Sequence, residues 1–321
     1  MNRLKLFIIL VFSVLLNACA TGSRAEKRSS GFGESEHSFS CEGPITSIVV
    51  YGPVEIYYTQ SKSGSRPTVT VDAGSDWEGL RLKQEGTVFT VFRNIKNRSV
   101  HAYDVKIRIS TPNLRNVNVN TAGKFFINRN FIADSELKLS TGVGAEIGIQ
   151  KMQINDDLTC EASSSGSIDI KNLAGETVAL AASSGADIRL NGKCLNISIV
   201  GGSGADINVD AKVENASISC SSAANITMKG EVSGKAIASA SSGAKVDIGD
   251  LKTGSLQAEC SSAATLIVWD LNSDVSSIRT SSLGTVTSAK SSSRRKNNYT
   301  IEETVEEKYE KPVERSHPIK P

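Results

Sequence analysis

The sequence predicts an all-β fold, a single-stranded parallel β-helix of about 20 residues per coil, and three patterns carry that prediction. The first is a short repeat. The segments TGVGAEIGI, SSSGSIDI, SSGADIRL, GSGADINV, SSAANITM, SSGAKVDI, SSAATLIV and SSLGTVTS place their first apolar residue at Ile147, Ile168, Ile188, Ile207, Ile226, Val246, Leu266 and Val286, at intervals of 19 to 21 residues. A fainter copy, TAGKFFI, places Phe125 one step earlier. A repeat this short means a solenoid, each copy being one coil stacked on the last. The second pattern is alternation. Ile149, Ile170, Leu190, Val209, Met228, Ile248 and Val268 follow two residues after those anchors, with Gly148, Asp169, Arg189, Asn208, Thr227 and Asp247 between the two rows. A period of two is a strand with one face inward. The third pattern is a corner: two residues before each anchor stands Ala145, Gly166, Ala186, Ala205, Ala224, Ala244, Ala264 or Gly284, small enough for an inward position at a tight bend.

A second strand lies upstream in each copy. Leu137, Leu158, Val178, Ile197, Ala216, Ala236 and Leu256 fall ten residues before their anchors. Leu139, Cys160, Leu180, Ile199, Ile218, Ala238, Ala258 and Ile278 fall eight before. One coil therefore reads strand, Ser/Gly corner, strand, loop. Stacked in parallel at about 4.8 Å, eight coils make a rod of about 38 Å. Right-handed coiling is the default for parallel crossovers. Leucine-rich repeats share the period, but their LxxLxL spacing is absent.

Residues 37–288 are assigned to this β-helix, with 136–288 as its regular repeats. Residues 37–135 form less regular first coils or a cap. They carry alternating runs such as SIVVYGPVEIYYTQ, TVFTVF and DVKIRIS, with turns at Gly52-Pro53, Glu85-Gly86 and Pro112-Asn113. A cap is needed because an open coil end is an unpaired strand edge. After Ser288 the pattern stops, and the charged segment 289–321 reads as a disordered, solvated tail.

The first 18 residues read as a lipoprotein signal peptide. Arg3 and Lys5 supply the positive start, and Leu6 to Leu16 an apolar stretch too short for a comfortable membrane span. The segment ends Leu16-Asn17-Ala18-Cys19, which is similar to a bacterial lipobox. That resemblance implies cleavage before Cys19, lipid on its thiol and a membrane partner held through that lipid. Residues 19–36 then form the lipidated cysteine and a polar tether. No acidic stretch follows Cys19, and the resemblance to bacterial lipoproteins then implies the outer membrane, with its face open.

Composition narrows the function. The formal net charge of the 321 residues is +2 and aromatics make up 5%, so neither an electrostatic footprint nor a stacking platform for nucleic acid is indicated. Of six cysteines, Cys19 is assigned to lipid. Cys220 and Cys260 share one repeat position with Ala240 between them, two strand spacings apart, beyond disulfide reach. They read as small core residues, as does Cys160. Cys41 and Cys194 have no evident partner.

No catalytic constellation emerges. His37, His101 and His317 lie outside the regular repeats, and HExxH, GxSxG and GxxxxGK are absent. The serine ladder Ser164, Ser184, Ser203, Ser222, Ser242, Ser262 and Ser282 reads as structural, with hydroxyls able to bond along the rod. Asp187, Asp206 and Asn225 stack on successive coils and offer the oxygen ligands calcium prefers. The GGxGxD signature of calcium-binding β-rolls is missing, so a solvated polar ladder is the reading. No catalytic, cofactor or metal residue is assigned.

The order of lipobox, GPVEIYYTQ, STPNLRNVNVN and SSGADI-type coils resembles the putative auto-transporter adhesin, head-GIN-domain family of bacterial envelope proteins, over about residues 40–288. The resemblance implies a non-enzymatic, lipid-anchored adhesin or ligand-binding β-helix whose ligand is a glycan or an envelope protein. It carries no catalytic residues. The alternatives are a purely structural envelope spacer and a carbohydrate-active β-helix enzyme.

Overall fold

The computed structural model describes residues 36–73, 79–94, 105–268, 276–288 and 300–303. They form a β-solenoid, and none of them is helical. Each regular coil has a strand on a first face, a corner, and a strand on a second face. The predicted registers hold: Ile147 pairs with Ile168, then Ile188, Ile207 and Ile226 in turn, all parallel. On the first face Leu139, Cys160, Leu180, Ile199 and Ile218 form the matching ladder. Both rows are buried and fill the interior with side chains.

The corners explain the small-residue runs. From Ser164 to Ser282 the ladder serines have φ between 47° and 55°, and the residues after them, such as Ser165, Gly185 and Ala223, have φ between 59° and 70°. Two successive positive φ values define a type I′ turn. It is closed by bonds such as Gly166 N–H to the Ser163 carbonyl at 2.8 Å and Ala224 N–H to Ser221 at 3.1 Å. The second turn residue then donates to the next coil: Ser165 to the Ser184 carbonyl, Gly185 to Ser203, Gly204 to Ser222, at 3.0 to 3.2 Å. The hydrogen-bond ladder along the corner is thus made by backbone, and the ladder serines themselves point to solvent.

The segment expected to be a loop is different. The strands Asp187–Gly201, Asp206–Cys220 and Asn225–Ala240 run on through it. It forms a third side with its own inward rows: Phe131, Met152 and Leu173, then Cys194, Val213 and Val232. Register shifts between Ile149 and Lys151, Ile170 and Leu173, and Val213 and Ala216 blur the period there.

The N-terminal end combines parallel coils with antiparallel strands. Ser47–Tyr51 and Glu55–Gln60 form one coil, and Val88–Arg93 with Lys106–Thr111 form another. Spatial order departs from chain order: Ser47–Tyr51 lies between Val88–Arg93 and Asn116–Asn120, and Glu55–Gln60 lies between Lys106–Thr111 and Lys124–Ala133. The cap is antiparallel. Thr68–Asp72 pairs with Lys106–Thr111, Glu36–Phe39 with Thr68–Asp72, and Leu80–Glu85 with Val88–Arg93. Gly52 turns the first coil with φ of 94°, and a Cβ there would sit 1.9 Å from the Arg93 carbonyl oxygen.

Glu36–Phe39 begins one residue inside the predicted tether. Within the tail predicted to be disordered, Thr300–Glu303 adds a parallel strand to Ser276–Thr280. The signal peptide and Cys19 lie outside the described residues, as do His101 and His317.

Candidate functional site

With the interior filled, chemistry is confined to the outer surface. On the regular coils that surface is mostly polar. At the head, residues 36–150, it changes. On the second face, Asp72, Lys106, Glu55, Lys124 and Glu146 stand side by side on five adjacent strands. Their charges alternate in sign at every step. Opposite charges across neighbouring strands stabilise a sheet and fix its register. Lys124 Nζ lies 3.7 Å from Glu146 Oε2.

The next outward row on the same strands reads Thr70, Arg108, Tyr57, Phe126 and Gly148. The Tyr57 and Phe126 rings are 5.7 Å apart between centroids and tilted by 35°. The Tyr57 hydroxyl donates to Glu55 Oε2 at 2.9 Å. Burial, then the Glu55 bond and charge, push the Tyr57 phenol up, while Arg108 draws it back.

The first face of the head holds an open cleft of about 600 Å³ lined by Arg115, Asn116, Asn118, Lys138, Ser140 and Glu161 among others. Lys138 Nζ meets Glu161 Oε1 at 2.8 Å. Asn116 Nδ2 donates to Ser47 Oγ at 2.9 Å, and Asn120 Nδ2 to Asn118 Oδ1 at 2.7 Å. Beside this amide row Tyr51 and Phe92 are register partners and each is 41% exposed. A larger open groove of about 740 Å³ follows the third side past Lys193, Leu195, Lys212, Glu214 and Glu231. Its walls are the staggered bends of successive coils, with charges of both signs.

The residues singled out from sequence fall elsewhere. Asp187, Asp206 and Asn225 do stack on successive strands of the second face. Arg189 Nη2 engages Asp187 Oδ2 at 2.8 Å, and Asn208 Nδ2 donates to Asp206 Oδ1 at 3.1 Å. Burial raises the Asp187 carboxyl, Arg189 opposes the shift, and Asp206 and Asp169 add to it. No group of three His, Cys, Asp or Glu side chains placed to hold a metal occurs among the described residues.

The five described cysteines are free. Cys220 and Cys260 occupy one rung position with Ala240 between them. Each thiol points to a corner carbonyl, Ala224 or Ala264, at 3.2 Å. Cys194 belongs to the third inward side, and burial pushes its thiol up to about 11.

The outward aromatics were not singled out, although the phase of the alternation marks them. In EIYYTQ, Tyr57 stands between the inward Ile56 and Tyr58. In KFFI, Phe126 stands between the inward Phe125 and Ile127.

A solenoid with a packed interior, rigid corners and a chemically distinct head defines a class of protein that presents surfaces. The chain belongs to the family described as putative auto-transporter adhesin, head GIN domain, whose model matches residues 44–211. The repeats beyond that span continue the same stack, since Asp206–Cys220 pairs in register with Asn225–Ala240.

Solved structures are similar to this one at low identity. A putative adhesin from Parabacteroides distasonis is 16% identical, with a TM-score of 0.53, covering 80% of this chain and 97% of that one. A putative adhesin from Parabacteroides merdae is 16% identical, with a TM-score of 0.49 and coverage of 80% and 96%. A putative lipid binding protein from Parabacteroides distasonis is 17% identical, with a TM-score of 0.49 and coverage of 82% and 100%. No match is found among curated proteins.

Proposed function

We propose that this protein is a non-enzymatic, lipid-anchored adhesin of the bacterial outer membrane that uses its head to bind a glycan or an envelope protein. The observation that carries the reading is the outer surface of the head, where the Tyr57 and Phe126 rings stand beside amides and a row of alternating charges. Strands hold these groups rigidly, so binding there costs little ordering. The anchor is the lipid expected on Cys19, and two or more acyl chains give stable attachment. Membership of a family described as adhesins supports the reading.

Three measurements test it together. Labelled palmitate should enter the wild-type protein and not Cys19→Ser. Protease treatment of intact cells, with a periplasmic control, reports the membrane face. Detergent-solubilised protein should bind isolated envelope fractions or host cell surfaces, and should release no sugar from the polysaccharides offered. Failure to bind any of them sinks the adhesin reading, and cleavage of a polysaccharide replaces it with the enzymatic one. A spacer is the second reading, favoured by the continuous corner ladder and by the charge row, which stabilise a rod without any ligand.

A further inference from the structure

One outward row changes character abruptly along the second face. From Asp169 onward it reads Asp169, Arg189, Asn208, Thr227 and Asp247, all polar, before Ile267 on the next coil. At the head the same row holds two stacked aromatic rings and then Gly148. The glycine is not a turn residue, for it lies within the strand Glu146–Ile154. A Cβ on it would come within 2.9 Å of Phe126 Cδ1 and 3.2 Å of Cε1. One edge of the Phe126 ring therefore leans over the glycine. Phe126 is half-buried although its position is outward, so part of the ring stays open to solvent. Tyr57 extends this surface, held by its bond to Glu55.

The rim of this shelf carries both signs. Lys106, Glu55, Lys124 and Glu146 sum to zero charge, and Arg108 closes the row beside Tyr57. Carboxylates accept hydrogen bonds, while ammonium and guanidinium groups donate them. A ligand suited to such a rim is polyhydroxylated, since each hydroxyl donates and accepts. A ligand suited to the shelf presents a flat face of C–H groups to the rings.

We propose that Phe126 and Tyr57, with Gly148 making room for the tilted ring, form a stacking subsite for a pyranose ring of a neutral polysaccharide. The hydroxyls of that sugar meet the carboxylates of Glu55 and Glu146 and the donors of Lys124 and Arg108. The near-neutral rim offers no phosphate-neutralising field, which sets the site apart from a single-stranded nucleic acid platform, where rings are joined to a positive groove. The proposal rests on the protein being a binding protein and adds the ligand class and its residues.

The test is affinity electrophoresis of detergent-solubilised full-length protein in native gels containing hydroxyethylcellulose, laminarin or soluble mannan. At least one of these neutral polysaccharides should retard the wild type. Phe126→Leu keeps apolar volume and removes the ring. Gly148→Val keeps the ring and displaces it. Each should weaken retardation about tenfold, as loss of a central aromatic contact does. Thr227→Val, in the same row four coils further along, should leave it unchanged. Melting curves confirm that the variants fold, and Tyr57→Leu serves if Phe126→Leu does not. The inference is overturned if none of the three polysaccharides retards the protein, or if folded shelf variants are retarded like wild type. Retention of envelope or cell binding in either case leaves the adhesin reading standing, and absence of all binding removes both.

Discussion

Replacing Ile207 is the most direct probe of how the rod is held together. Its side chain is fully buried, stacked between Ile188 and Ile226. Ile207→Ala removes three carbons from a packed interior and should cost about 2–5 kcal/mol. Ile207→Asp loses about 1.5–3 kcal/mol of apolar burial and adds a carboxyl with no partner, a further cost of several kcal/mol. Burial holds the introduced carboxyl's pKa above its unfolded value of about 3.9. The penalty is therefore smallest below about pH 4 and grows as pH rises through that value. Asn208 is one residue on and outward, its side chain donating to the exposed Asp206. Asn208→Thr reproduces Thr227 of the next coil and should stay within about 0.5 kcal/mol. Urea denaturation followed by circular dichroism at pH 4 and pH 7 measures all of this. In a stacked array a mid-rod defect also divides the transition, since each coil is stabilised by its neighbours. Equal effects of the two positions, or an Ile207→Asp deficit that shrinks with rising pH, would refute the inward register.

Three further outcomes follow from the corners, the thiols and the charge row. Gly243 is the second residue of a type I′ turn with φ of 70°, so Gly243→Val should lower stability by about 1–3 kcal/mol in thermal melts, while Ala223→Asn at the equivalent corner should be neutral or stabilising. Burial pushes the Cys220 thiol from 9.0 up to about 11, with a backbone hydrogen bond at Lys245 opposing the shift. Because the folded value is raised, the stability it contributes is present below pH 9 and is lost as pH climbs toward 11. Cys220→Ala, which copies Ala240, should flatten that alkaline loss in denaturation curves, and thiol reagents should leave native Cys220 unlabelled until unfolding. Lys124→Glu would set three carboxylates side by side with Glu55 and Glu146, and should cost a few tenths to about 1 kcal/mol at low salt, less at high salt.

The regular coils were legible because burial there obeys a single rule. Ile168, Ile188 and Ile207 share a phase, the corner needs Ala or Gly, and a chain that repeats both has one way to stack. The third side was not, because its inward residues vary from Phe131 and Met152 to Cys194 and Val213, and bulges shift their spacing. Cysteine and methionine carry little directional signal, so this side read as loop. The head's surface was legible only in part: alternation shows that Tyr57 and Phe126 face outward, but not that 69 residues of chain separation place them on neighbouring strands.

That separation points to why the head is built as it is. Ser47–Tyr51 and Glu55–Gln60 are the earliest parallel coil in the chain, yet they lie inside the stack, covered on one side by Val88–Arg93 and Lys106–Thr111 and on the other by Asn116–Asn120 and Lys124–Ala133. The end of the rod is left to antiparallel strands. Leu80–Glu85 presents Arg81, Lys83 and Glu85 outward, with Lys83 and Glu85 in an ion pair, and Glu36–Phe39 closes the other face. Charged, antiparallel edges deter the end-to-end addition that a bare parallel coil invites. Closing the end this way brings Arg108, Tyr57 and Phe126 onto adjacent strands although they come from three separate segments, and one backbone arrangement thereby both caps the solenoid and assembles its most distinctive outer surface. A substitution that loosens the cap, such as Gly52→Val against the Arg93 carbonyl, should therefore disturb the aromatic row as well as the rod's end, even though Gly52 touches neither ring.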